Sequence, residues 1–445
     1  MTVKRMKFIG FPVFLLLLFT ASALQAGPKI QSWNTANGAK VLFVPAADLP
    51  MLDIQVVFDA GSARDADKPG LAVLTNALLT DGAGEWNADQ IAERLEAVGA
   101  EMGAGALRDM AWVSLRTLTE KRILSTSLET LVATLASPRF DEGDLERNRQ
   151  AMQASLRRLE QSPGKVASKA FFATLYGEHP YASYRGGTQA SLAGFTREDV
   201  VAYFQRYYVA RNASIAIVGA VDRVEAEKLA EAITRRMPAG EHAPDLSRVA
   251  DLAAPTDIHT QFPSSQTHIL MGQAGVFRGD KDYFTLYVGN HVLGGSGLIS
   301  LLSEEVREKR GLSYSVYSYF SPMRRKGPFV IGGQTQNAKA VEALRVMKAT
   351  LKRYIEQGPT EDELTASKQN ITGGFPLRIS SNSKIVGYLA MLGFYDMPLD
   401  YLDTFVSRIN AVTGEQIREA FQRRLDMDRF VTVVVGNGPT AEKNN

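Results

Sequence analysis

The amino-acid sequence predicts an α+β protein made of two homologous halves, each a mostly antiparallel sheet with helices on one face, the halves facing each other as a clam shell. Three observations lead there. The first is an internal repeat. Phe195-Thr196-Arg197-Glu198-Asp199-Val200, Phe204-Gln205-Arg206 and Ile217-Val218-Gly219 recur without a gap, 217 residues later, as Val412-Thr413-Gly414-Glu415-Gln416-Ile417, Phe421-Gln422-Arg423 and Val434-Val435-Gly436. The second is the pattern inside each half, where β-branched strand runs alternate with several amphipathic helical stretches. The third is size: 445 residues at 45% hydrophobic and 22% charged form a globular composition with room for two to four domains at roughly 100–200 residues each.

From the N-terminus, residues 1–26 carry Lys4, Arg5 and Lys7, then an apolar run from Phe8 to Phe19, then small residues from Thr20 to Ala26. These are the regions of a cleaved secretory signal, cut after Ala26 or Ala23, and the apolar run is too short for a stable membrane span. In the first half, 27–236, strands are predicted near 39–45 and 51–60 and helices near 68–80, 87–99 and 119–136. A long helix over 141–161, helices near 164–176 and 196–208 and a strand at 212–219 complete it. Thr196 and Thr413 stand as N-caps with an acidic residue in the first turn. Leu145 with Gln150 matches Leu364 with Gln369 at an offset of 219, so the halves are colinear. Residues 237–262, with Pro238, Gly240, Pro244 and Pro255, lack sustained periodicity and read as a flexible linker. The second half, 263–438, repeats the order, and 439–445 is a tail. A cavity between two such halves is a natural place to enclose a ligand.

Composition excludes several classes of function. The formal charge is +2, but removing 1–26 takes away three cations, leaving 47 basic against 48 acidic residues and a charge of −1. With no basic run to track phosphates, nucleic-acid binding has no support. No later stretch holds 18 uninterrupted apolar residues, so the mature chain has no stable membrane span and is expected in a bacterial periplasm. The absence of cysteine removes disulfides, thiolate metal sites, iron–sulfur clusters and a cysteine nucleophile. The five histidines, His179, His242, His259, His268 and His291, include no pair at i, i+4, and each reads as a loop or capping residue before a ligand. Gly294-Gly295-Ser296-Gly297 lacks the Gly-Lys-Ser/Thr ending of a P-loop, so no nucleotide site is expected there.

Two stretches carry a family resemblance. Gly61-Ser62-Ala63-Arg64, Gly70-Leu71-Ala72, Gly82 and Leu95 to Gly99 form one frame. Asn290-His291-Val292-Leu293-Gly294-Gly295, Leu301, the run Arg307 to Val316 and Gln334-Thr335-Gln336 form the other. Together they make the chain similar to the pitrilysin, insulinase and mitochondrial-processing-peptidase family over nearly all of its mature length. The resemblance implies duplicated α+β domains and zinc-dependent peptide cleavage inside a closing chamber. It also shows a departure. The family's His-x-x-Glu-His falls on Val73, Leu74, Thr75, Asn76 and Ala77, and its third ligand, a glutamate, falls on Ala154. Val73, Ala77 and Ala154 offer no ligand atom and Asn76 no general base, so neither zinc capture nor water activation is available there.

What the resemblance implies for the second half is kept. The family's substrate-holding arginine and tyrosine, seven residues apart, match Arg307 and Tyr314, and its Gly-rich turn lining the chamber matches Gly294, Gly295 and Ser296. A guanidinium fork and a phenolic donor suit the oxyanion of a scissile carbonyl. The plainer alternative pairs Arg307 with Glu304 or Glu308 and buries Tyr314 in the core. Tyr317 and Tyr319 share one face of a strand whose edge suits an extended peptide. The expected function is therefore a non-catalytic subunit: this chain binds no zinc, holds a peptide or unfolded-protein substrate, and lends Arg307 and Tyr314 to a homologous, zinc-bearing partner. The rival is a stand-alone periplasmic peptide-binding or assembly protein.

Overall fold

Strands of two sheets organise residues 28–438, which the computed structural model describes; the predicted signal over 1–26 and the tail 439–445 lie outside the described residues. In the first half run β1 (Gln31–Asn34), β2 (Lys40–Pro45), β3 (Met51–Phe58), a short ladder of β4 (Gly82–Ala83) and β5 (Trp86–Asn87), then β6 (Glu101–Ala106), β7 (Ala111–Leu118) and β8 (Ala213–Gly219). In the second run β9 (Thr256–Gln261), β10 (Gln266–Ala274), β11 (Ser313–Phe320), β12 (Pro328–Gln336) and β13 (Val431–Gly436). The sheet orders are β1-β2-β8-β3-β7-β6 and β11-β12-β10-β13-β9. Only β2 with β8 and β9 with β13 pair in parallel within these sheets, so the mostly antiparallel α+β reading of two homologous halves holds. The repeat is equally visible at its caps. Thr196 accepts from Asp199 N at 3.3 Å while Asp199 accepts from Thr196 N at 3.1 Å, and Thr413 with Gln416 forms the same reciprocal box at 3.2 and 3.0 Å.

Each sheet has its own helices on one face, and the other face receives a helix of the opposite half. Helix Asn382–Phe394 lies on β2, β3 and β8, while helix Pro163–Tyr176 lies on β10 and β13. The strand sequences show why. Along β2 and β8, Val41, Phe43, Ile215 and Ile217 join the first half's core, whereas the alternate Leu42, Val44, Ala216 and Val218 pack with second-half residues. Val431, Val433 and Val435 meet Phe171 and Leu175 from the first half. A period-2 strand that is apolar at every position has two buried faces to fill. Burying both faces through exchanged helices joins the halves by core packing.

Polar groups reinforce that junction. Buried Asp109 accepts from Tyr395 Oη at 2.9 Å and Arg324 N at 2.7 Å, and also from Tyr181 Oη. Burial, with the carboxylate beside them, pushes both phenols far above their ordinary range, so they remain donors. The segment read as a flexible linker is held in place. Arg64 Nη1 donates to Pro244 O at 2.6 Å and Arg325 Nε to Leu246 O at 2.7 Å, with Leu246 and Val249 buried. Its last residues form β9, too polar in sequence (Thr-Asp-Ile-His-Thr-Gln) to signal a strand. The hairpin β6–β7 and helix Arg223–Thr234 were likewise not predicted; the Gly-Ala-rich β6 carries almost no β-branched signal.

Candidate functional site

Arg307 stands on a π-helical turn, Ser303–Glu308, a rare geometry that recurs at functional sites. The turn is anchored from below by Glu305. This buried carboxylate accepts from Lys309 Nζ at 3.0 Å, Arg310 Nη1 at 2.6 Å and Arg353 Nη2 at 3.2 Å. Burial alone would raise its pKa, but the three cationic donors outweigh that and hold it at about 2. Gly311 then ends the helical run with φ +56°, its N–H donating to Arg307 O at 2.8 Å, a left-handed cap that a side chain would strain.

Two residues on, the register of β11 against β12 slips between Ser313 and Ser315. Tyr314 is the extra residue of this bulge, and the bulge turns it outward. It is 77% exposed, so the alternative of a core tyrosine is excluded. Arg307 reaches Glu308 at 3.3 Å, a weak surface pairing, and its guanidinium carbon lies 5.1 Å from the centre of the Tyr314 ring. The two side chains predicted to act together are therefore neighbours at the start of a sheet-edge strand.

The Gly-rich turn divides. Gly294 is buried for packing: a Cβ there would lie 2.4 Å from Ser318 Oγ and 2.5 Å from Ser318 N. Asn290 Nδ2 donates to Ser318 O at 3.0 Å while Ser318 Oγ donates to Asn290 Oδ1 at 2.8 Å, locking the π-helical stretch His291–Gly295 onto β11. Gly295 and Ser296 instead line a cavity of about 540 Å³. Its other walls include Arg278 and Arg378, which sequence reasoning missed; they stand 100 residues apart and meet only in the fold.

The family's zinc does not fit this chain. Val73 and Ala77 lie half-buried on helix Leu71–Leu78, and Ala154 half-buried on helix Glu142–Glu160. Asn76 is buried, its Nδ2 donating to Trp112 O and Tyr208 Oη at 3.2 Å each, so its amide is committed to the core. Among the described residues no group of three or more His, Cys, Asp or Glu is placed to hold a metal ion. His179 caps Tyr181 N at 3.1 Å, as its loop position suggested. Buried His291 lies between Ser367 Oγ and Asn370 Oδ1, its pKa lowered by burial.

Comparison with known proteins agrees with this geometry. Residues 46–189 match the model of the insulinase family (peptidase family M16), and 194–371 match that of the peptidase M16 inactive domain. The uncharacterized zinc protease YmxG of Bacillus subtilis is 24% identical over 92% of this chain and 99% of its own length. The non-peptidase homolog YmxG of Helicobacter pylori is 23% identical over 95% of this chain and 97% of its own. A crystal structure of a peptidase M16 inactive domain from Pseudomonas fluorescens superposes with a TM-score of 0.90 at 38% identity, covering 93% of this chain and 99% of that one. On two family models matched in order and a solved relative of this similarity, the chain belongs to the insulinase (M16) peptidase family, as a homologue of its inactive domain.

Proposed function

We propose that this protein is the non-catalytic subunit of a periplasmic zinc-metallopeptidase-like complex. It holds a peptide substrate and supplies Arg307 and Tyr314 to an active site whose zinc motif stands on a homologous partner chain. One contrast carries the reading: the three family zinc-ligand positions are Val73, Ala77 and Ala154 and the general-base position is Asn76, whereas Arg307 and Tyr314 remain paired at 5.1 Å beside an exposed strand edge. An exposed tyrosine against a guanidinium contributes little to a fold, but the pair offers two donors to one carbonyl oxygen. The edge strand behind them offers free backbone groups to an extended chain.

The test combines the chain with a homologue from the same organism bearing an intact His-x-x-Glu-His and assays peptide hydrolysis. The pair is expected to cleave, the chain alone not, and Arg307→Ala or Tyr314→Phe to lower the rate by about 10²–10³ where the donor serves an oxyanion. Chelator-sensitive hydrolysis by the pure chain overturns the proposal. If no zinc-bearing homologue yields activity while the chain still binds peptides, the stand-alone binding role replaces it.

A further inference from the structure

The cavity behind Gly295 and Ser296 is enclosed by helix Tyr283–Asn290, the far end of β11 and helix Glu361–Arg378. Its wall carries two arginines, Arg278 and Arg378, and no acidic residue. Tyr283 and Tyr287 stack one turn apart with ring centres 5.9 Å from each other, and the cations flank them. The Arg278 guanidinium carbon lies 5.8 Å from the Tyr283 ring, while Arg378 lies 6.0 Å from the Tyr287 ring and donates to its hydroxyl at 2.8 Å. The acids closest to Arg278 in sequence, Asp280 and Asp282, are held by Arg423 and Arg424 at 2.6–3.0 Å. Arg278 Nε is buried with no hydrogen-bond partner among the described residues. Arg278 is half-buried and Arg378 exposed, and neither forms an ion pair among the described residues, so both charges are open to a ligand anion.

We propose that this cavity is an anion site that takes the carboxylate of a peptide, at its C-terminus or on an acidic side chain. A guanidinium matches a carboxylate through two parallel N–H donors. About 540 Å³ exceeds the needs of a small inorganic anion, and Val276, Leu286 and Phe320 give an apolar wall for the residue that bears the charge. Tyr319 lines both this cavity and a second of about 360 Å³ that Ser315 and Tyr317 also line, so β11 contributes to both. Tyr314 and Ser318 are four residues apart on that strand, about 13 Å at strand rise. A peptide lying along β11 beside Tyr314 would therefore bring a carboxylate four or five residues away to the arginines. Choosing a peptide carboxylate over a small anion rests on β11 being a peptide-holding edge.

The test uses the full chain alone and a fluorescein-labelled apolar hexapeptide with a free C-terminal carboxylate, compared by fluorescence anisotropy with its C-terminal amide. The carboxylate peptide is expected to bind at least about tenfold more tightly than the amide. Arg278→Met and Arg378→Met should each erase most of that preference, and millimolar inorganic phosphate should displace the peptide. Equal binding of the two peptides, or no binding of either at millimolar concentration, overturns the proposal. That comparison stands on the native chain even if a variant misfolds. Phosphate raising the melting temperature while the peptides show no carboxylate preference assigns the cavity to a free anion and equally overturns the peptide assignment. Because no zinc-bearing partner is present, a failed peptidase reconstitution and a failed carboxylate preference are separate results.

Discussion

Replacing Glu305 with Gln removes the buried negative charge beneath the Arg307 turn. In the native chain its carboxylate accepts charge-assisted bonds from Lys309, Arg310 and Arg353, the last from helix Ala340–Gln357. Gln keeps one acceptor but turns an amide N–H₂ toward cations. Holding the carboxyl at about 2 against an ordinary 4.5 corresponds to at most about 3 kcal/mol. The side chains of the three cations are 39–51% exposed, so solvent screening reduces the expected loss to about 1–2 kcal/mol. The sign follows from the depressed folded-state pKa. The stabilisation is complete above about pH 4.5 and is lost as pH falls through about 2, where Glu305 is protonated in both states. Urea unfolding followed by far-UV circular dichroism should show the wild type more stable than E305Q at pH 7. The gap should shrink to roughly half or less near pH 3. A gap of zero at pH 7, or one that does not change with pH, refutes the anchoring role.

Three further expectations concern packing. Leu389, fully buried on helix Asn382–Phe394, packs with strands of the first half. Leu389→Ala should cost about 2–5 kcal/mol and shift the fluorescence transition of Trp33, Trp86 and Trp112, all of which lie in the first half; an unshifted tryptophan transition denies the helix exchange. Gly294→Ala should lower stability by about 1–3 kcal/mol, because the new methyl overlaps Ser318 backbone. By contrast Gly373→Ala, in helix Glu361–Arg378 with nothing within 4 Å of its added Cβ, should be neutral or stabilising in a thermal melt.

Much of the fold was legible where local signals are strong. The caps at Thr196 and Thr413 and the β-branched, mostly apolar strands ending at Gly219 and Gly436 carry propensity, capping and periodicity in one short stretch. Elements stabilised only by their neighbours were not legible: β6 is Gly- and Ala-rich, and β9 is polar at most positions. β9 is held by pairing with β13, distant in sequence and outside any local window, while β6 is held as a strand by its hairpin partner β7 rather than by its own residues. The same holds at the site. Arg307, Gly311 and Tyr314 fall within one short stretch of sequence and are legible together, whereas Arg278 and Arg378 lie 100 residues apart.

By itself the sequence determined that the chain is a duplication, that it carries no zinc ligands at Val73, Ala77 and Ala154, and that Asn76 stands where a general base would be. These are facts of residue type at fixed spacing, and folding cannot supply a donor atom that is not there. Only the tertiary structure decided how the halves join, because exchange of helices Pro163–Tyr176 and Asn382–Phe394 depends on which buried strand face each helix fills. It alone exposed Tyr314 through the bulge in β11 and brought two arginines around one cavity. Side-chain direction at a bulge and convergence of distant residues are set by pairing register and packing, and neither is encoded in any single segment.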